Sequence, residues 1–184
     1  MNHHSLYREK VYSGPIFDIS KVHVRLPDGR ERNYELVEHG DSVTVVPVDA
    51  KGQVYFVTQH RVGADALLLE LPAGVLEEGE APLETARREI REEIGMDAQS
   101  IIPLGGFYLA PGYTDEYMYI FLARDLFLSP LEPDEDEFLN LITMSVEMTF
   151  EKALAGEIQD GKTLAALLMA MPFINPGQLN TTDF

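Results

Sequence analysis

The stretch Gly74–Met96, GVLEEGEAPLETARREIREEIGM, opens with a small residue, passes a proline and ends in dense charge. Pro82 to Ile94 reads as a helix, with proline in its first turn and Gly95 just past its end. Each helical residue advances about 100°, so Leu83, Ala86, Ile90 and Ile94 fall on one stripe that should face a core. The other side is crowded. Between Glu70 and Glu93 there are eight carboxylates (Glu70, Glu77, Glu78, Glu80, Glu84, Glu89, Glu92, Glu93) against three arginines (Arg87, Arg88, Arg91), which relieve only part of the mutual repulsion. Glu89 and Glu93 stand one turn apart on the same edge, with Glu92 beside them.

Read alone, such a run is most simply a solvated charged face. A divalent cation gives it a second reading. Magnesium prefers hard oxygen ligands, and two glutamates at helical i and i+4 present carboxylates in one direction. The preceding Pro72-Ala73-Gly74 reads as a loop that brings a backbone carbonyl to the same ion.

Working outward from this segment, the first 40 residues alternate short apolar runs with turns. Val11–Ser13, Phe17–Val24 and Asn33–Val37 read as strands, the last two joined at Pro27-Asp28-Gly29. Val43–Val48, Val54–Gln59 and Leu67–Leu71 are further strands before the helix. Phe107–Leu109, Met118–Ala123 and Leu139–Met144 are strands after it. Helices follow over Val146–Ala155 and Lys162–Met171, the second stopped by Pro172. The order implies a mixed α+β fold: an N-terminal β extension over 1–40, a main domain over 41–174 and a frayed polar tail over 175–184.

Composition limits the function. The 184 residues carry 14 basic and 31 acidic side chains, a net charge of −17, which disfavours nucleic acid and anionic membrane as partners. Without cysteine there is no disulfide, thiolate metal site or cysteine nucleophile. No apolar run has the length of a membrane span and the N-terminus lacks a signal-like stretch, so a cytoplasmic protein is expected.

Gly74, Glu80, Arg88, Glu89, Ile90, Glu92, Glu93, Gly95 and Met96 occupy all nine specified positions of a known 23-residue pattern, the Nudix box. The segment closely resembles Nudix hydrolases. The resemblance implies a Nudix fold, a mixed β-sheet sandwiched between helices, here with a small N-terminal sheet. It implies hydrolysis of a nucleoside diphosphate linked to another group. It also implies Mg²⁺ as cofactor, with Mn²⁺ as an alternative, held by Glu89, Glu92, Glu93 and the Ala73 carbonyl. Glu92 counts among the catalytic residues as well. Arg88 and Glu80 are expected to form a structural ion pair, with Glu77 and Glu78 left as solvated loop charges.

Three features resemble the ADP-ribose pyrophosphatase group. These are Leu69-Glu70-Leu71-Pro72-Ala73-Gly74 before the box, Pro111 fifteen residues beyond it, and Gln59-His60-Arg61 at a strand end. Asp160–Leu168 is also similar to that group's C-terminal helix start, so the similarity covers most of residues 35–171 and is weak over 1–34. The group's pattern makes Arg61 a substrate-phosphate ligand, a role that suits its planar fork. Glu70 and Glu116 complete the substrate-binding candidates, Glu116 for the terminal ribose. The acidic loop Pro133-Asp134-Glu135-Asp136-Glu137 carries the expected general base, Glu135 slightly ahead of Glu137 and with Glu116 as a rival. Tyr12 and Phe17 are better read as core or interface aromatics than as purine platforms. The expected substrate is ADP-ribose. GDP-mannose, an ADP-hexose, or binding without cleavage are the alternatives. The N-terminal strands of the group imply a homodimer.

Overall fold

The computed structural model describes residues 4–132 and 139–174. The chain starts as an antiparallel meander of β1 (His4–Ser13), β2 (Asp18–Arg25) and β3 (Glu31–Glu38). The β2–β3 turn falls at Pro27-Asp28-Gly29, where Gly29 takes φ +86°, a conformation that a Cβ opposes. Alternation along β2 buries Ser20, Val22 and Val24 on one face. β1 begins well before the expected Val11. Its side chains from Ser5 to Ser13 are exposed, so backbone pairing with β2, with two irregularities in register, sets its length.

The chain divides into two compact units: Met1–Asp41 with Phe107–Met118, and Ser42–Gly106 with Tyr119–Phe184. In the first, Val37 bridges to Thr114 and its N–H donates to the Tyr113 carbonyl at 2.8 Å. The extension expected over 1–40 is therefore joined by a segment from far along the sequence.

The remaining elements are β4 (Ser42–Val48), β5 (Gln53–Arg61), β6 (Ala66–Glu70), β7 (Ala73–Val75), α1 (Pro82–Glu93), β8 (Met96–Tyr108), β9 (Tyr117–Leu128), β10 (Asn140–Ser145), α2 (Val146–Leu154) and α3 (Gly161–Ile174). The large sheet runs β10-β5-β4-β9-β8, with β6 added to β5 and β7 to β4. Every residue of β4 is buried, which requires cover on both faces. Val43 and Val45 pack with Ala86 and Ile90 of α1 and with Ile94 just past its end, in a core shared with Val57, Phe121 and Ala123. Alternation turns Thr44 and Val46 the other way, and α3 also lies against β4. The result is an α+β fold with a mixed sheet between helices. Among the described residues no helix is long and apolar enough to cross a membrane.

Four local expectations are corrected. Ala73–Val75 is a strand rather than a loop, registered Thr44↔Ala73, Val43↔Gly74 and Ser42↔Val75. Leu83 is 47% exposed, whereas Thr85 and Glu89 are buried beside Ala86 and Ile90. The side-chain-free Gly74 admits Glu89 under the helix, and α1 packs by that edge instead. β8 starts at Met96 although Pro103, Gly105 and Gly106 interrupt its pattern. It ends the sheet order, where a missing N–H breaks no interior ladder. Finally, α3 continues through Pro172 to Ile174; the proline falls in the last turn, where one backbone bond is lost.

Ile90, fully buried between α1 and β4, tests this packing. Ile90→Ala should lower unfolding free energy by about 3 kcal/mol in urea titration, the usual cost of such a cavity. A loss under about 1 kcal/mol would mean the α1–β4 core is not the one described.

Candidate active site

Local structure aims α1. Pro82 begins it, the Ala81 N–H donates to Glu84 Oε2 at 3.1 Å, and Gly95 ends it at φ +69°. Glu89, only 6% exposed, lies against the backbone of Gly74. A Cβ on residue 74 would stand 1.8 Å from Glu89 Oε1, so only glycine fits while that carboxylate keeps its place. Glu93 Oε2 accepts the Ala73 N–H at 3.3 Å. β7 and α1 thus bring Ala73, Gly74, Glu89 and Glu93 together.

Arg88 joins the carboxylates. Its Nη1 donates to Glu89 Oε1 at 2.7 Å and to Glu92 Oε2 at 2.8 Å. Its Nε and Nη2 each reach Glu80 at 3.2 Å, and Nη2 also reaches the Val75 carbonyl at 3.1 Å. Burial works against the Arg88 charge, but Glu80, Glu89 and Glu92 outweigh it and raise its pKa above the ordinary value. For Glu80, burial pushes upward and the bonds from Arg88 pull the carboxyl below its usual range. Glu77 and Glu78 are exposed.

Among the described residues no three acidic or histidine side chains already form a metal-holding group. The donors nevertheless suit a hard divalent cation. They are carboxylate oxygens, two of them already converging on the positive Arg88 Nη1, and one of those two, Glu89 Oε1, seated in the hollow above Gly74.

A second charge cluster lies in the same unit. Arg61 ends β5 and Glu70 ends β6, strands paired antiparallel. Nε and Nη2 of Arg61 donate to Glu70 Oε1 at 2.8 Å and Oε2 at 2.7 Å, a bidentate pair. Glu70, 1% exposed, also accepts from Lys162 Nζ. Burial pushes the Glu70 carboxyl upward, yet Arg61 and Lys162 together hold it below the ordinary value. The hydrogen bond to Glu70 raises the Arg61 pKa against its burial, and the charges of Asp160 and Glu93 add to the rise. Arg61 is therefore within electrostatic reach of the carboxylate edge.

The structure brings Arg61, Glu70, Ala73, Glu89, Glu92 and Glu93 into the second unit. Glu116 belongs to the first, with its carboxylate 3.7 Å from His39 Nδ1. Glu135 and Glu137 lie outside the described residues, as does the tail over 175–184. Lys162 was not among the sequence candidates. Its signal is Asp160-Gly161-Lys162-Thr163, a helix-capping aspartate followed by a lysine, which in sequence looks like any helix start. A groove of about 450 Å³ in the first unit is lined by Arg8, Val22, Tyr34, Leu36, Pro111 and Gly112, so the loop that carries Pro111 packs on the N-terminal sheet.

A sheet between helices that presents crowded carboxylates beside a paired arginine has the make-up of a metal-assisted hydrolase. The NUDIX domain signature covers residues 38–167, and the chain belongs to the Nudix hydrolase family. Nudix pyrophosphatases use divalent metal ions. The chain is 34% identical over 165 residues to the ADP-ribose pyrophosphatase of Bacillus subtilis (strain 168), covering 89% of each. It is 32% identical over 161 residues to the methanol dehydrogenase activator of Bacillus methanolicus, covering 86% of this chain and 87% of that protein. The crystal structure of an ADP compounds hydrolase matches its fold with a TM-score of 0.84 over 96% of both chains, at 24% identity.

Because the folded Glu70 carboxyl lies below its ordinary 4.5, the ionised form contributes stability that is complete above that value and is lost as pH falls through the lower folded value. Wild type should therefore lose melting temperature on acidification below 4.5. Glu70→Gln should start lower at neutral pH and converge with wild type in acid; parallel curves would refute the assignment.

Proposed function

We propose that this chain is a Mg²⁺-dependent pyrophosphatase that hydrolyses ADP-ribose to AMP and ribose 5-phosphate. The observation that supports it most is the arrangement of Glu89, Glu92 and Glu93 on one helix edge with the bidentate Arg61–Glu70 pair in electrostatic reach. The similarity to an ADP-ribose pyrophosphatase selects the substrate within the family.

In this reading Glu89, Glu92, Glu93 and the Ala73 carbonyl hold the metal. The bound ion supplies charge neutralisation of the pyrophosphate oxygens and orientation of water. Arg88 keeps the carboxylate edge assembled and Glu80 keeps Arg88 in place. Arg61 offers phosphate oxygens the part of its fork that Glu70 does not use. Glu70 sets the direction of that fork. A loop glutamate, Glu135 ahead of Glu137, takes a proton from water as its oxygen bonds to phosphorus. The bridging phosphoanhydride oxygen leaves with one of the two phosphates. Glu116, a residue of the first unit, is assigned to the terminal ribose hydroxyls of the site in a second copy of the chain, in the dimer proposed below. The setting we propose is the cytoplasm.

A panel of ADP-ribose, an ADP-hexose and GDP-mannose, with and without EDTA, tests the reading. ADP-ribose should give AMP and ribose 5-phosphate with the highest kcat/KM, and EDTA should abolish turnover. Glu93→Gln should cost at least about 100-fold, and single glutamine replacements at 135 and 137 should separate base from bystander. A preference of tenfold or more for GDP-mannose overturns the substrate, and tight binding without turnover under Mg²⁺ or Mn²⁺ overturns the enzyme.

We also propose that the chain works as a homodimer. The first unit leaves Leu6, Tyr7, Val11, Tyr12 and Ile16 exposed on or beside β1, an amount of apolar surface that association would cover. Light scattering on the intact protein should give twice the mass of one 20.6 kDa chain. A monomer at micromolar concentration would refute this.

A further inference from the structure

Arg61 on its own is poorly placed to attract phosphate. Two of its nitrogens are spent on Glu70, and the carboxylate cancels its charge. Lys162 changes that balance. Its side chain is 11% exposed, and its ammonium lies between Glu70 and Asp160, 3.0 Å from Asp160 Oδ2. We propose that Lys162 is a positioning residue. By neutralising Glu70 at Oε2, the oxygen it shares with Arg61 Nη2, it leaves the arginine's charge and outer edge available to the diphosphate of the substrate. This deepens the reading above and rests on it for the identity of that substrate.

The placement is built into the fold. Asp160 Oδ2 accepts the Thr163 N–H at 2.9 Å, which fixes the first turn of α3. Thr163 Oγ1 accepts the Leu71 N–H at 2.9 Å and ties that turn to the residue following Glu70. The first turn of α3 and the end of β6, 92 residues apart in sequence, are thus held in one geometry. In the cluster, two cations face two carboxylates, Arg61 and Lys162 against Glu70 and Asp160. Without Lys162 it carries a net negative charge, next to Glu93, whose charge already reaches Arg61. An anionic ligand would then meet repulsion in a half-buried setting, where charges are weakly screened. Lys162 itself is enclosed by carboxylates, so its effect on a ligand passes through Glu70 and Arg61.

The test compares wild type, Lys162→Met and Lys162→Arg, with Lys162→Gln in reserve if the methionine variant does not fold. Each is assayed for ADP-ribose hydrolysis, for binding of inorganic pyrophosphate by calorimetry in Mg²⁺, and for melting temperature. Lys162→Met should raise KM about tenfold with kcat within about threefold of wild type. It should weaken pyrophosphate by a similar factor, and Lys162→Arg should recover most of the loss. In an Arg61→Gln background the same replacement should add almost nothing, because its effect runs through Arg61. Unchanged KM and pyrophosphate affinity, a drop in melting temperature alone, or full additivity with Arg61→Gln would each overturn the role. If wild type binds pyrophosphate in a Lys162-dependent way but does not cleave ADP-ribose, the substrate reading fails and the positioning role stands. If wild type cleaves ADP-ribose and Lys162→Met behaves like it, the reverse holds.

Discussion

A carboxylate occupies the space where residue 74 would otherwise carry a side chain. That single close approach orders much of the second unit. It requires glycine at 74, and it draws Glu89 to the buried side of α1, so the helix buries Thr85 and Glu89 beside its apolar residues instead of a purely apolar stripe. It also creates an electrostatic demand, since a carboxylate at 6% exposure needs compensation. Arg88 meets it and in doing so gathers Glu80 and Glu92. The carboxylate edge is therefore a consequence of backbone proximity first and of charge pairing second.

The unit carries two charge clusters of different character. Around Arg88, three glutamates share one guanidinium, leaving an excess of negative charge and hard oxygen donors. Around Glu70, two cations and two carboxylates balance. An acidic cluster alone attracts cations, and a balanced cluster alone attracts little. Glu93, on the same helix edge as the first cluster, adds to the rise in the Arg61 pKa in the second, and the two together suit a ligand that is itself a metal–polyanion pair. A chain of net charge −17 can in this way accommodate a negatively charged small molecule without a broad basic surface.

Much of this was readable in the residues. Pro82 and Gly95 delimit α1 through local backbone physics, and the resemblance to the Nudix box anticipates the Arg88–Glu80 pair, which bonds at 3.2 Å. What escaped reading depends on partners distant in the chain. Lys162 owes its importance to a carboxylate 92 residues earlier, and nothing near it in sequence announces that contact. The exposure of Leu83 follows from what lies beneath the helix, which periodicity does not record. The early part of β8 was hidden by Pro103 and by Gly105, which takes φ +133° inside a strand at the end of the sheet order. In each case tertiary placement overrides a local signal.

The double-sided burial of β4 also bears on how the protein comes into being. One cover, α1, is made soon after the strand, but α3 begins at Gly161, 113 residues after Val48. During synthesis the run Val43-Thr44-Val45-Val46 therefore leaves the ribosome with half of its surface awaiting a segment not yet translated. Nascent chains cut short before α3 would display this β-branched strand to one another, and truncation products would accumulate as aggregates, not as stable fragments.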